Sequence, residues 1–189
     1  MEFPLAAGQA THFEAVTSTG STNTDLIAKA AQLPDFSVLT AAEQVSGRGR
    51  SGRSWEAPAG SSMIASVLLR PAGVAPTQFS WLPLIAGLSL ANAVSSFGGS
   101  VRAMVKWPND VLVKEKKIAG LLCQAVEDGV IVGIGLNVSM QFEELPVESA
   151  TSLLLENFAE LDRNIIVKNI LQNFQAKYAI WNLHGSSQF

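Results

Sequence analysis

The chain has 189 residues, of which 48% are hydrophobic and 15% are charged, whereas roughly 25% of the residues in a typical soluble domain are charged. These values predict one domain with a sizeable buried core and exclude intrinsic disorder, which combines low hydrophobicity with high net charge. The formal net charge of −3 argues against a broad nucleic-acid-binding surface, so no nucleic-acid partner is expected.

The N-terminal half is predicted to alternate helices and strands around one long loop. A helix follows Ser21-Thr22-Asn23, where Thr22 can act as the cap and Asp25 as the acidic partner in a capping box. The later segments predict, in order, a strand over 37–42, a loop over 46–60, a strand over 63–69 and a helix over 79–96 ended by Gly98-Gly99.

The C-terminal half is denser in strands, which are predicted over 101–107, 111–113, 118–126 and 130–138. Short strands joined by tight turns imply antiparallel pairing. An acidic loop follows over 139–162, with a short helix near 149–155, and a last helix capped by Asp162 or Asn164 runs through Tyr178. This order predicts an α+β fold with one mixed, mostly antiparallel sheet and helices on one face.

No targeting or membrane-spanning segment is predicted. The N-terminus has no basic stretch before an apolar run, which argues against a secretory signal. The longest apolar region, 79–97, is interrupted by Pro83 and several serines, so it is interpreted as a buried helix. A cytoplasmic location is therefore expected. Cys123 is the only cysteine, which excludes an intramolecular disulfide, and its apolar strand predicts a buried structural thiol.

Arginine, glycine and serine are concentrated in the loop over 46–60. Arg48, Arg50 and Arg53 are spaced by glycine and serine, and Trp55 follows them. A run of charged residues usually forms a solvated loop. Such a loop would contain both positive and negative side chains and would use lysine as well as arginine. Glycine lets backbone N–H groups approach a ligand, and arginine offers a bidentate fork for phosphate or carboxylate. The loop therefore predicts an anionic ligand.

Residues 47–52 also match the dinucleotide-binding pattern G-x-G-x-x-G. That pattern requires a helix to open directly after it and an acidic residue about 20 positions on. Trp55, Pro58 and Gly60 follow instead and open no helix, so we reject a Rossmann site. The Walker A pattern occurs nowhere in the chain, which excludes a P-loop nucleotide-binding site.

A second basic segment runs from Lys106 to Lys117. Asn109 and Asp110 offer oxygen ligands that could hold Mg²⁺ through water, although a plain turn explains them equally well. Lys117 is either a charge at a hairpin end or a cation aimed into the face of the sheet. Gly120 removes a side chain where a ligand could lie.

Together these blocks resemble the biotin protein ligases in order and spacing. The resemblance rests on Ser21-Thr22-Asn23, on Gln44 with 47–55, on Lys106-Trp107-Pro108-Asn109-Asp110, on Lys117-Ile118-Ala119-Gly120 and on Gly133-Ile134-Gly135-Leu136-Asn137. Any one block would be weak, but all of them in register are specific. The family's catalytic domain is similar to class II aminoacyl-tRNA synthetases, which agrees with the predicted α+β fold.

The resemblance implies a two-step reaction with ATP, Mg²⁺ and biotin. Biotin and Mg-ATP would give biotinyl-5′-adenylate and pyrophosphate. The adenylate would then acylate one lysine of a biotin carboxyl carrier protein or domain, as in acetyl-CoA carboxylase and related carboxylases. No nucleophilic side chain is needed, because ATP activates the carboxylate.

The resemblance also assigns the site residues one by one. The biotin pocket would be formed by Ser21, Thr22, Asn23, Gln44, Gly47, Arg48, Gly49, Arg50, Lys117, Gly120 and Gly135. The hydroxyl groups of Ser21 and Thr22 would reach the ureido group of biotin. Gly120, Gly135 and Asn137 would form the floor of the site.

ATP would be bound by Arg48, Arg50, Arg53, Trp55, Lys106, Asn109, Lys117 and Asn137. The catalytic groups would be Lys117, Arg50 and Arg48, because they stabilise the charge that develops between the biotin carboxylate and the α-phosphate. Asp110 is the predicted Mg²⁺ ligand. Since an acyl-adenylate hydrolyses readily, residues 46–56 are predicted to be mobile without ligand and to order over it.

The sequence departs from the family at both ends. We expect neither the N-terminal winged-helix DNA-binding domain of some members nor the small SH3-like domain that usually follows the last helix. We therefore expect residues 1–189 to form a single catalytic domain. A compact active form, a truncated gene product and a form that dimerises to compensate are all open alternatives.

Two other functions stay open. A lipoate or octanoate ligase shares the fold, although the arginine loop and the Lys106–Asp110 block speak against it. A non-catalytic biotin-binding or regulatory module is the second alternative, because the C-terminal domain is missing.

Overall fold

The computed structural model describes residues 3–98 and 101–188. The strands are β1 (His12–Thr19), β2 (Ser37–Gln44), β3 (Ser62–Leu69), β4 (Ala103–Lys106), β5 (Asp110–Val113), β6 (Lys116–Val126) and β7 (Gly129–Asn137). The α-helices are α1 (Pro4–Ala7), α2 (Thr22–Lys29), α3 (Leu82–Ser95) and α4 (Arg163–His184).

The strands form a seven-stranded sheet with the order β1-β2-β3-β7-β6-β5-β4. Only the β1–β2 pair is parallel, and all other neighbours in the sheet are antiparallel. The predicted α+β class with a mixed, mostly antiparallel sheet is therefore confirmed. Strand β1 was not predicted. It lies at the edge of the sheet and has no fully buried residue, so its sequence lacks the apolar alternation that marks a strand.

The main core lies between one face of the sheet and the helices α1, α3 and α4. Alternate strand residues such as Val38, Val67 and Val132 are fully buried there, together with Phe174 and Trp181 of α4. This alternation follows from the pleat, which sends successive side chains to opposite faces of a strand. The core fixes the sheet as a rigid platform for its other face.

The ends of the two long helices differ in part from the prediction. Helix α3 begins only at Leu82, because Pro76–Trp81 form a 3₁₀-helix before it. It ends at Ser95, and Gly98 follows with a positive φ of 104°; the predicted stop at Gly99 lies outside the described residues. Helix α4 continues past Tyr178 to His184, and Asp162 caps it by accepting hydrogen bonds from two backbone N–H groups.

Helix α2 lies on the opposite face of the sheet, so the prediction of helices on one face holds for α1, α3 and α4 but not for α2. Leu26 of α2 packs against Leu39, Leu68 and Ile131 in a second, smaller cluster. The strand residues of this cluster alternate with those of the main core, which places them on the other side of the sheet. The N-terminus of α2 therefore points along this second face.

Two local predictions were wrong. Thr22 is the first residue of α2 rather than its cap, and Asp25 accepts a hydrogen bond from the hydroxyl of Thr19 instead of completing a capping box. The segment 149–155 is not a helix. It runs beside β6, where the backbone N–H of Lys117 donates to Ser149 O and that of Thr151 donates to Lys117 O. This pairing takes the place of helical hydrogen bonds. Within the described residues, no helix is both long and apolar enough to cross a membrane.

Candidate functional site

A cavity of about 110 Å³ lies on the α2 face of the sheet. It brings together most of the residues that the sequence singled out, although they come from separate elements. The lining includes Ser21, Thr22, Asn23, Gln44, Arg48, Gly49, Arg50, Arg53, Trp55, Asn109, Lys117, Gly120 and Gly135. Side chains or backbone of Ser54, Ile64, Leu121, Leu122, Gly133 and Ile134 complete it, and the sequence analysis had not assigned these to the site.

One end of the cavity is polar and is built around the N-terminus of α2. The oxygen Oε1 of Gln44 accepts hydrogen bonds from the backbone N–H of Thr22 at 2.8 Å and from its hydroxyl at 3.0 Å. The side-chain amide of Asn23 donates to Leu122 O at 3.2 Å and to Gln124 Oε1 at 2.8 Å. Thr22 and Asn23 are both buried, so this end of the cavity is held in one arrangement.

The glycines on the sheet leave room for other groups of the protein. A Cβ atom at Gly133 would collide with the side chain of Asn23. A Cβ atom at Gly135 would lie 2.5 Å from Trp55 Cε2, and one at Gly120 would lie 3.2 Å from Trp55 Cζ3. In this structure the indole of Trp55 therefore covers the face that Gly120 and Gly135 leave open.

The arginine loop is folded as a small hairpin over the cavity. The backbone N–H of Gly49 donates to Arg53 O at 2.7 Å, and that of Trp55 donates to Gly47 O at 2.9 Å. Ser51 and Gly52 make the turn with positive φ angles of 56° and 74°. Gly47 forms the base of this hairpin, whereas the other predicted loop residues line the cavity.

One hydrogen bond ties the hairpin to the sheet. Arg50 donates from a guanidinium nitrogen to Asn109 Oδ1 at 3.1 Å, and Asn109 in turn donates to Leu121 O at 3.1 Å. Arg50 and Asn109 also line a second cavity of about 260 Å³, together with Trp107 and Cys123. Asn109 thus acts here as a structural connection rather than as a plain turn residue.

Lys117 reaches the cavity because of an irregularity in β6. The register of β5 against β6 shifts between Val111 and Leu112, whose partners are Ala119 and Lys117. One extra residue, Ile118, is thereby inserted into β6 as a β-bulge. Strict alternation would send residues 117 and 120 to opposite faces. With the bulge, Lys117 Nζ lies 3.2 Å from the position of a Cβ atom at Gly120.

The ammonium group of Lys117 has two neighbours. Its Nζ lies 2.8 Å from Asp110 Oδ1 and 5.9 Å from the centre of the Trp55 ring, where a cation–π interaction is favourable. Trp55 Nε1 is buried and has no hydrogen-bond partner within the described part of the chain. The indole is therefore held by its ring faces and not by its one polar atom.

The charges around the cavity are predominantly positive. Arg48, Arg50, Arg53 and Lys117 all line it, whereas the described lining contains no aspartate or glutamate. Asp110 lies behind Lys117 and offsets part of that charge. Arginine forks and an ammonium group suit a ligand that carries both phosphate and carboxylate groups.

Besides Gly47, three further predicted site residues lie outside the lining. Lys106 is exposed at the end of β4, opposite Asp110. Asn137 is buried, and its amide donates to Thr151 O at 2.9 Å, which holds the loop after β7. Asp110 pairs with Lys117. Among residues 3–98 and 101–188, no group of three or more His, Cys, Asp or Glu side chains could hold a metal ion.

Asp110 alone does not fit a resident Mg²⁺ site, because its charge is already paired with that of Lys117. Magnesium that is bound mainly by nucleotide phosphates needs only one or two protein carboxylates. Any Mg²⁺ would therefore have to be bound largely by phosphates.

The sequence is similar to known proteins over most of its length. Residues 13–140 match the Biotin/lipoate A/B protein ligase family. The chain is 41% identical over 172 residues to a biotin–[acetyl-CoA-carboxylase] ligase of Mycobacterium tuberculosis, covering 89% of this chain and 64% of that protein. It is 34% identical over 160 residues to the bifunctional ligase/repressor BirA of Bacillus subtilis, covering 80% of this chain and 49% of that protein. The chain thus spans less than two thirds of the length of either relative.

The fold is similar to that of solved structures as well. The biotin protein ligase from Aquifex aeolicus, in complex with biotin and ATP, superimposes with a TM-score of 0.80 and 30% sequence identity, covering 95% of this chain and 75% of that chain. The biotin protein ligase from Leishmania major has a TM-score of 0.76 at 24% identity, covering 90% and 76%, and shares the fold.

Proposed function

Because the chain belongs to the Biotin/lipoate A/B protein ligase family, we propose that it is a biotin protein ligase. In this proposal it joins biotin to ATP as biotinyl-5′-adenylate and then transfers biotin to a lysine of a carrier protein. The observation that carries it is the cavity itself, in which a rigid polar end at Thr22 is joined to a positively charged end at Lys117 and Arg50.

In the first step, a carboxylate oxygen of biotin attacks the α-phosphorus of ATP. The bond from phosphorus to the β-phosphate bridging oxygen breaks, and pyrophosphate leaves. Negative charge develops on the α-phosphate oxygens, and in this proposal Lys117, Arg48 and Arg50, which line the cavity, stabilise it. No side chain needs to act as a nucleophile, and the only cysteine, Cys123, does not line this cavity.

In the second step, the amine of the carrier lysine attacks the carbonyl carbon of the adenylate and AMP leaves. The amine must lose a proton in this step. The site must also exclude water, since an acyl-adenylate hydrolyses readily. The hairpin over residues 47–55 covers the cavity and supplies that exclusion.

The two ends of the cavity divide the substrates between them. We assign the ureido ring of biotin to the polar end, where Ser21, Thr22 and Gln44 offer hydroxyl and amide groups. The biotin carboxylate and the ATP phosphates then meet near Lys117, and Trp55 moves aside or packs on the nucleotide. Mg²⁺ enters as the Mg-ATP substrate.

The expected macromolecular partner is a biotin carboxyl carrier protein or domain, such as that of acetyl-CoA carboxylase. The name of the mycobacterial relative supports this choice. A second copy of this chain is a further candidate partner, and nucleic acid is not one.

Release of pyrophosphate from Mg-ATP tests the proposal. We expect release that depends on biotin and not on lipoate, followed by labelling of a carrier domain. Release with lipoate alone would favour a lipoate or octanoate ligase, which the family also includes. Biotin binding without release with either acid would favour a non-catalytic biotin-binding module.

A further inference from the structure

Ser66 is fully buried on β3 and does not line the cavity, yet it contacts the polar end from behind. Its Oγ atom lies 2.6 Å from Asn23 Oδ1 and 2.8 Å from Thr22 Oγ1. It stands opposite Gly133 in the ladder between β3 and β7. The neighbouring strand residues Ile64 and Leu68 are apolar, so a serine at this position needs an explanation.

The direction of the Ser66 hydroxyl follows from the hydrogen bonds of Asn23. The amide nitrogen of Asn23 is fixed by Leu122 O, a backbone carbonyl that can only accept. Its other atom, Oδ1, is therefore an acceptor, and Ser66 is its only donor within the described residues. Leaving a buried acceptor unpaired is costly, so the single hydroxyl hydrogen of Ser66 goes to Asn23.

The hydrogen bonds of Ser66 and Gln44 fix the role of the Thr22 hydroxyl. With its hydrogen given to Asn23, Ser66 presents only lone pairs to the Thr22 hydroxyl. Gln44 Oε1, the other neighbour of that hydroxyl, is also an acceptor, because it already receives the backbone N–H of Thr22. The Thr22 hydrogen is therefore used inside the protein, and the oxygen is left to accept from a ligand.

Gln44 supplies a hydrogen-bond donor beside the acceptor of Thr22. Since its Oε1 accepts from Thr22, its Nε2 atom turns the other way, toward Gly47 at the base of the hairpin. The polar end thus offers an acceptor at Thr22 and a donor at Gln44. A cyclic urea presents the matching pair, an N–H donor beside a C=O acceptor, whereas a dithiolane ring presents neither.

We propose that Ser66 is a positioning residue that makes Thr22 an obligatory acceptor and so selects a cyclic urea. The proposal rests on the function proposed above, because it concerns the ureido ring of biotin. Ser66 never touches the ligand. It acts through the orientation of Thr22 and Asn23.

A double-mutant cycle in the full chain tests this role, with biotin binding measured by titration calorimetry. The variants are Ser66→Ala, Thr22→Val and the double variant, and circular dichroism and thermal unfolding verify that each is folded. Ser37→Ala is the matched control, because Ser37 is equally buried on β2 and its hydroxyl donates to Pro34 O, away from the cavity lining.

We expect Ser66→Ala to weaken biotin binding about tenfold in the wild-type background, which corresponds to loss of one well-formed polar contact. In the Thr22→Val background the same change should weaken binding less than about twofold. Ser37→Ala should leave biotin affinity unchanged while lowering the midpoint of thermal unfolding about as much as Ser66→Ala does.

Two results would overturn the proposal in different ways. If wild type binds biotin but the effects of Ser66→Ala and Thr22→Val multiply, Ser66 has only a structural role and the proposed function stands. If wild type binds no biotin, the proposed function fails and this inference fails with it.

Discussion

The indole ring of Trp55 packs directly on the backbone of Gly135, with no side chain between them. The space is so tight that a Cβ atom at Gly135 would lie 2.5 Å from Cε2 and 2.6 Å from Cζ2 of the ring. This contact joins the end of the hairpin over 47–55 to the middle of the sheet. It therefore sets how firmly the hairpin is closed.

Gly135→Ala should open the hairpin. The added methyl group has no space beneath the indole, and moving Trp55 costs less than distorting a central strand. We expect faster cleavage by trypsin at Arg48, Arg50 and Arg53, with little loss of thermal stability. Gly8→Ala is the control, because a Cβ atom there meets its nearest neighbour at an ordinary 3.8 Å. Equal cleavage of the two variants would show that Trp55 does not hold the hairpin.

Lys117→Ala should abolish most adenylate formation in a folded protein. Loss of one preorganised group at developing charge typically lowers kcat by about 10²–10³. The measurement is biotin-dependent pyrophosphate release, with circular dichroism as the check on folding. Lys116→Ala, which removes an exposed lysine one residue away, should keep wild-type turnover. Unchanged turnover of Lys117→Ala would contradict the role given to this ammonium group.

Ligand should protect the arginine loop from proteolysis. Within the described part of the chain, the hairpin is connected to the sheet by the Arg50–Asn109 hydrogen bond and by the packing of Trp55. Phosphate groups between the arginines and Lys117 would add further contacts. We expect trypsin cleavage within 46–56 to slow when biotin and Mg-ATP are added together. Equal cleavage rates with and without them would count against ordering by ligand.

Glu156 should make stability depend on pH. Burial works to raise the pKa of Glu156, but hydrogen bonds from Lys114 and Thr151 outweigh it. The positive charge of Lys116 acts in the same direction, so the pKa lies below the usual value of 4.5. The carboxylate therefore stabilises the fold above about pH 4.5. That contribution is lost as the pH falls through the lowered value.

Glu156→Gln isolates this contribution. At pH 7 we expect the free energy of unfolding to fall by about 1 kcal/mol, because the partner ammonium of Lys114 is largely exposed. The difference from wild type should shrink as the pH falls through the lowered pKa of Glu156. Urea titrations at several pH values measure it, with the exposed Glu148→Gln as control. A difference that persists at low pH would assign the effect to packing.

Cys123 should react slowly in the folded chain. Part of the residue is reachable from the second cavity, but burial raises the pKa of its thiol to about 12 despite the opposing charge of Arg50. At pH 8 the thiolate that reacts with alkylating reagents is therefore scarce. We expect rapid labelling by iodoacetamide only after denaturation. Rapid labelling of the native chain would show that the thiol is activated.

The blocks of sequence that carry chemistry could be predicted, because each needs particular residue types at fixed spacing. Gln44, Arg50 and Lys117 do meet at one cavity. The group that occupies the space between these side chains could not be predicted. Trp55 occupies the space over Gly120 and Gly135, and no local pattern tells whether a glycine makes room for a ligand or for the protein's own side chain.

Other misses arose where tertiary contacts outweighed local preference. Strand β1 is held by pairing with β2 rather than by an apolar pattern. Asp25 accepts a hydrogen bond from the hydroxyl of Thr19 in β1, so it does not turn back to the start of α2. Ser66 lies within the predicted strand over 63–69 but was not singled out, because only the contacts from α2 reveal what it bonds. The one signal in the sequence is a polar residue inside a predominantly apolar strand.

Because of the bulge at Ile118, the position of the Lys117 ammonium group depends on the backbone of β6 as well as on the residue types. Upstream and downstream of it, the alternation of β6 runs in opposite phase. Lys117 and Gly120 are three residues apart, so a regular strand without the bulge would point the ammonium group into the apolar core beneath the sheet, where an unpaired charge is not tolerated. The bulge is what places this lysine on the same face as Gly120. The backbone irregularity in this short segment therefore matters as much to the site as the lysine itself.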